Sequence, residues 1–286
     1  MNDVTREYLR TGFKRWIRWI ALAAVFAVAC GFLANWQWNR RVQVLQVISR
    51  VNSNYNQKSV PLEQLLSKLS GFNTANQYRP VLVSGHYLTD GQLLLRNQVS
   101  DGNPGFHQLV PFALDSGRVI TVDRGWVSIG QKQDLPDKEP TIQDGEIQLV
   151  GRLMPAQPAD SRKAPLWQAM SITPKILNQQ WSLPKGVLYT DAYLNLAVES
   201  PAPAGGYPVL ATQPDITEGN HLSYAFQWVL FALLAFLAIG ANIRQDIIEK
   251  RVAEEPGYVA PVRKRKKVGQ ADAEAEDALL TERDQV

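Results

Sequence analysis

Apolar positions along the chain gather into two dense blocks, separated by a long stretch where polar and apolar residues mix. The first block covers residues 19–36, with Asn35 its only strongly polar member, and the second covers residues 222–243. Each reaches the roughly 20 residues a helix needs to cross a hydrocarbon core. Lipid offers no partner to open backbone groups, so such a segment spans as a helix. With their flanks, the transmembrane helices are expected at 19–38 and 220–243.

The pattern between them changes several times. Residues 42–60 read as a helical extension that frays into the polar Asn52, Ser53, Asn54 and Asn56. Pro61 then opens a run with Leu62, Leu65, Leu66 and Leu69 at helical spacing, which Gly71 ends. From Tyr78 the spacing becomes that of strands, with near-alternation at Val81, Val83 and Tyr87. Further strands are expected at 92–97, 106–112, 118–127, 146–153 and 186–193, divided by turn signals such as Asp101-Gly102 and Asp115-Ser116-Gly117. Thr173-Pro174 opens a short helix to Gln179. The fold class is membrane α + β: two transmembrane helices flanking a β-rich periplasmic domain, an antiparallel sheet or small barrel with short helices.

Charge sets the expected orientation. Arg6, Arg10, Lys14, Arg15 and Arg18 precede the first apolar block. Arg244, Lys250, Arg251 and the cluster 263–267 follow the second, and they outnumber Arg40 and Arg41 on the central side. Basic residues stay cytoplasmic. The expected division is a cytoplasmic N-terminus at 1–18, a periplasmic domain at 39–219 and a cytoplasmic, disordered tail at 244–286. This places the protein in the inner membrane, with membrane lipid as a partner. The formal net charge of +3 comes largely from these flanks and does not indicate nucleic-acid binding. The basic start and apolar run also fit a signal sequence, and Ala27-Val28-Ala29-Cys30 is similar to a lipoprotein box. Apolar residues continue past Cys30 to Trp36, which favours an uncleaved helix anchored by Trp36 and Trp38. With one cysteine, no intramolecular disulfide can form.

Catalytic motifs are missing from the sequence. It has no glycine-rich phosphate loop, no nucleophile elbow and no closely spaced His/Glu metal motif. Copper(I) prefers soft sulfur ligands, and the central region holds only Met154 and Met170. Of the three histidines, His86 and His107 fall in expected strands and read as exposed or hydrogen-bonded sheet residues. His221 opens the second apolar block. At 100° per residue, Tyr224 and Trp228 share its helix face, and Ala225 leaves a gap beside them. A neutral imidazole can ligate haem iron, and Arg40 or Arg41 could pair with propionates. The same three residues also fit a plain interfacial belt, and spacing does not separate the two readings.

Five segments in order carry a resemblance. They are Trp36-Gln37-Trp38-Asn39-Arg40, Tyr78-Arg79-Pro80-Val81 with Gly85, Gly105-Phe106-His107 with Pro111-Phe112, Asp123-Arg124-Gly125-Trp126-Val127, and the run from Asn220-His221 to Gln227-Trp228. Together they resemble the Surfeit locus protein 1 family, over about residues 30–245. The chain departs from that family in Ala34, where glycine is frequent, and in its charged tail after Pro256. The resemblance implies a non-enzymatic assembly factor for haem-copper cytochrome c oxidase that binds haem a or hands it to the catalytic subunit. It implies docking on that subunit or on the haem-a-synthesising enzyme. It also implies His221 as the haem contact; from helical spacing, Tyr224 and Trp228 would then shape the cofactor pocket and Arg40 would hold a propionate. A membrane scaffold that stabilises an oxidase assembly intermediate without haem is the alternative, and an enzyme or periplasmic sensor built on the central domain is a third reading. Arg124 and Trp126 are expected to be structural, the ring packing the domain and the arginine satisfying local carbonyls.

Overall fold

The computed structural model describes residues 3–131, 134–254, 257 and 259, with side chains from residue 12 onward. Of the tail expected to be disordered at 244–286, residues 244–254 instead continue helix α4, because no proline or glycine interrupts the chain before Pro256; the basic cluster 263–267 lies outside the described residues, as do the side chains of Arg6 and Arg10. The chain forms two compact units: residues 1–37 with 222–286, and residues 38–221.

The first unit is built on two long helices. Helix α1 runs from Asp3 to Asn54 as one continuous element, so the expected extension is an unbroken continuation of the first apolar helix. Its residues Trp19, Leu22, Val25, Phe26, Phe32 and Trp36 face outward. Helix α4 covers His221–Glu254 and exposes Phe226, Val229, Leu230, Leu233 and Leu237 in the same way. In the most apolar window of each helix only 11% and 6% of residues are buried, which is not how the core helix of a water-soluble protein behaves. By length and composition both can cross a membrane.

The second unit is a closed barrel with additions. Its strands are β1 (Val60–Pro61), β2 (Pro80–Tyr87), β3 (Leu93–Ser100), β4 (Asn103–Leu114), β5 (Val119–Ser128), β6 (Ile147–Pro155), β7 (Gln168–Ala169) and β8 (Leu188–Ser200). Neighbours run in the order β1-β2-β6-β8-β5-β4-β3-β7, and β2 also pairs with β4, which closes β2, β6, β8, β5 and β4 into a ring. The sheet is mixed: β1–β2, β3–β7 and β5–β8 are parallel. A purely antiparallel sheet is therefore corrected, because the parallel β5–β8 pairing joins strands distant in sequence and leaves no local turn signal.

Alternation puts one side of each barrel strand inward. Val81 and Val83, Val110 and Phe112, Ile120 and Val122, Leu149 and Leu153, and Leu194 and Leu196 fill the interior, all at most 4% exposed. A second cluster packs outside it: Leu93 and Leu95 of β3 and Leu109 of β4 meet Ile172, Tyr193 and Leu177. Leu177 lies on helix α3 (Pro174–Trp181), two residues longer than its sequence pattern suggested.

The run after Pro61 forms only one helical turn, α2 (Leu62–Leu65). The apolar spacing was genuine, since Leu62 and Leu66 are buried and Leu65 and Leu69 pack against the barrel core. Tertiary bonds take the backbone instead: Ser67 O accepts from Arg118, and Leu69 O accepts from the Thr190 backbone N–H. Strand β4 begins earlier than expected because Asp101 and Gly102, both with positive φ, make a two-residue hairpin turn between paired Ser100 and Asn103.

Gly85 sits where β2 meets β4. Its φ is +151°, and a Cβ there would lie 1.9 Å from Ala113 O. Gly85→Ala should force the closing strands apart and destabilise the protein by about 3 kcal/mol through strain and overpacking. The check is the thermal unfolding midpoint of the detergent-solubilised chain. An unchanged midpoint would show that closure at this pairing contributes little.

Candidate functional site

Two constellations in the structure carry chemistry. The first lies inside the barrel and was not expected. The inward row of β5 continues from Ile120 and Val122 to Arg124, which is fully buried. A register shift in the β4–β5 pairing places an extra residue on β5 between Asp123 and Trp126. Gly125 has φ +126° there, and a Cβ on it would come 2.5 Å from Val209 O. The bulge sends Arg124 into the barrel while its neighbours keep their strand bonds.

Arg124 meets Glu199, also fully shielded, with Nε 3.2 Å from Oε1. The Tyr87 hydroxyl donates to the same oxygen at 2.6 Å, and Gln143 Nε2 donates to Oε2 at 3.1 Å. Arg124 Nη1 donates to Gln108 Oε1 at 2.7 Å, and Nη2 reaches Thr141 O at 3.4 Å. Gln108 Nε2 passes the chain to Gln92 Oε1 and to Pro140 O, both at 3.0 Å. The guanidinium also lies 5.3 Å from the Tyr87 ring centre. Burial and the Glu199 carboxylate hold the Tyr87 hydroxyl well above the usual tyrosine range. Sequence reasoning assigned Arg124 to local carbonyls; its main partners are instead a carboxylate and a side-chain amide.

Next to this network, His107 Nδ1 lies 2.7 Å from Asp123 Oδ2. Asp123 Oδ1 accepts from the Gly125 N–H at 3.0 Å, so the carboxylate braces the bulge. Trp126 packs its indole across Gly105, where a Cβ would stand 2.4 Å from Nε1. His86 stays at the surface, 3.4 Å from Glu146. These histidines read as sheet residues, as expected. Among the described residues, no group of three or more His, Cys, Asp or Glu could hold a metal ion.

The second constellation is the start of α4. His221 is its first residue, and Tyr224 and Trp228 follow at helical spacing. Tyr224 is half exposed, Ala225 is buried, and Trp228 meets Phe231 edge to face at 5.7 Å. Gly219, with φ +68°, stands beside the imidazole: a Cβ there would lie 3.7 Å from Nε2. Arg41 is ion-paired with Glu218, three residues before His221, and lies 5.7 Å from the Trp38 ring centre. Arg41 is therefore committed to the segment entering α4. Among the described residues Arg40 donates to Gln43 of its own helix, at 3.4 Å, and a guanidinium carries further donors.

The structure thus defines a class: a mixed, closed β-barrel whose sequence lies between two long apolar helices. The pattern that defines the SURF1 family matches residues 24–233, and the chain belongs to that family. An uncharacterized SURF1-like protein of Mycobacterium bovis is 30% identical over 248 residues, covering 85% of this chain and 89% of that protein. A SURF1-like protein of Rickettsia bellii is 24% identical, covering 82% and 92%. The cytochrome oxidase assembly protein SHY1 of Saccharomyces cerevisiae is 25% identical over 139 residues, 48% of this chain and 33% of that protein.

Removing Arg124 leaves a buried carboxylate without its counter-charge. Arg124→Ala should cost about 3–5 kcal/mol. Arg124→Met combined with Glu199→Leu should cost less than Arg124→Ala alone, because no unpaired charge remains. Unfolding midpoints of the variants check this, and a double variant as unstable as the sum of its parts would contradict it.

Proposed function

We propose that this chain is a membrane-anchored assembly factor, not an enzyme, for haem-copper cytochrome c oxidase, and that its cargo is haem a. In this reading both termini are cytoplasmic, at 1–18 and 244–286, and the barrel within 39–219 is periplasmic. Membership of the SURF1 family and the yeast relative, a cytochrome oxidase assembly protein, support oxidase assembly. The outward apolar faces of α1 and α4 support the anchor.

The cargo reading rests on one observation: His221 occupies the first position of α4 beside a residue without a side chain. An imidazole at a helix start, beside Gly219, suits a ligand that must be both held and released. Tyr224 and Trp228 continue the face along which an apolar macrocycle would lie. Arg40 has donors to spare for a propionate, whereas Arg41 is held by Glu218. The docking partner is the oxidase catalytic subunit or the enzyme that makes haem a. Moderate affinity suits delivery, because a very tight site would not release its cargo.

The test is an absorption spectrum of the purified full-length protein from cells that make haem a, wild type beside His221→Ala. A Soret band in the wild type and its loss in the variant, at equal protein level, is the expected result. Equal haem in both removes His221 from the mechanism. No haem in either, with the protein inserted, favours the scaffold that stabilises an assembly intermediate.

A further inference from the structure

We propose that the groove between the N-terminal part of α1 and the C-terminal part of α4 is a site for one anionic phospholipid. The proposal rests on the membrane-anchored reading of the two helices. The groove holds about 450 Å³ and is lined by Arg15, Trp16 and Trp19 of α1, with Ile239, Asn242, Ile243 and Asp246 of α4.

A polar clamp forms one end. Arg15 pairs with Asp246, and Trp16 Nε1 donates to Asp246 Oδ2 at 2.8 Å. Lys250 lies over the Trp16 ring at 4.7 Å from its centre. Gly12 makes room for it, since a Cβ there would come 2.5 Å from Lys250 Nζ. An aspartate in an apolar helix is costly unless paired, and Asp246 is paired twice across the groove. Trp19, Ile239 and Ile243 give the other part of the lining an apolar character.

This gradient selects the occupant. The volume is too small for a further helix, whose diameter is about 10 Å, but takes a phosphate headgroup and the start of an acyl chain. Donors remain for the phosphate. Arg15 engages Asp246 through Nη2 and keeps its other N–H groups, and Asn242 directs its amide to Ala238 O and keeps one N–H. Charge then decides between lipids: Lys14 and Arg18 lie within three residues of Arg15 along α1 and Arg244 lies two residues before Asp246 along α4, against Glu249 and the already paired Asp246. A zwitterionic headgroup gains little from such a surround, whereas each basic residue near the surface favours an anionic one.

Tryptophan quenching reads the site directly. The full-length chain is reconstituted in phosphatidylcholine vesicles carrying a minor fraction of brominated phosphatidylglycerol, or of brominated phosphatidylcholine instead. The signal of Trp16 and Trp19 is the difference between wild type and the Trp16→Phe/Trp19→Phe variant. Quenching of that signal by the anionic lipid should be about fivefold more effective than by the zwitterionic one. The preference should fall in Arg15→Gln and rise in Asp246→Asn, which frees Arg15. Equal quenching by the two lipids, or a preference unchanged in Arg15→Gln, overturns the site while leaving the membrane anchor standing. No quenching by either lipid overturns the anchor and the site together.

Discussion

A charge pair sealed inside the barrel is the constraint on which the rest of the central domain depends. Arg124 and Glu199 are both fully shielded, so each needs the other and each needs further hydrogen bonds. Meeting that need ties together β2 through Tyr87, β4 through Gln108, β5 through Arg124 and β8 through Glu199. It also recruits Thr141, Gln143 and Pro140 from the long connection between β5 and β6. An apolar core forbids a slip of one residue but admits a slip of two, which keeps each side chain on its face. A carboxylate and a guanidinium also exclude the slip of two, because it would part the charges and leave each buried without its partner.

The bulge in β5 follows from the same need. Inward and outward residues alternate regularly until Asp123, where one extra residue enters the strand. Gly125 is the only residue type that fits so close to Val209 O. Asp123 stabilises the bend from outside by accepting from the Gly125 N–H, with His107 against its other oxygen. A second irregularity occurs between β6 and β8, two residues from Glu199. Both distortions border the charged pair, which is where a regular barrel could not place two long polar side chains.

The helices follow a different pattern. Their large apolar residues face outward, and their polar groups gather in few places, such as the clamp of Arg15, Trp16 and Asp246. Arg41 does comparable work in the other unit, holding Glu218 and with it the approach to His221. Polar pairing thus recurs as the means of fixing chain segments where apolar packing alone is permissive.

Much of this was legible in the amino-acid sequence. Alternation located all the long strands because it reflects a face that must be buried, and the length of the apolar blocks found both long helices. Helical spacing and family-like segments, which are local in the chain, single out His221, Tyr224, Trp228 and Arg40 as the residues on which the proposed haem site draws. What sequence could not supply were contacts between distant residues. The spacing of Leu62, Leu65 and Leu66 marked core residues correctly, yet barrel bonds to Ser67 and Leu69 cut the helix to one turn. The parallel β5–β8 pairing and the closing β2–β4 pairing lack any turn to announce them. Nor does anything near Arg124 point to Glu199, 75 residues away. Sequence alone therefore determined which residues are polar, which form long apolar helices and which fill a core. Only the tertiary structure decided which buried charge meets which, because that choice depends on closing the barrel around both.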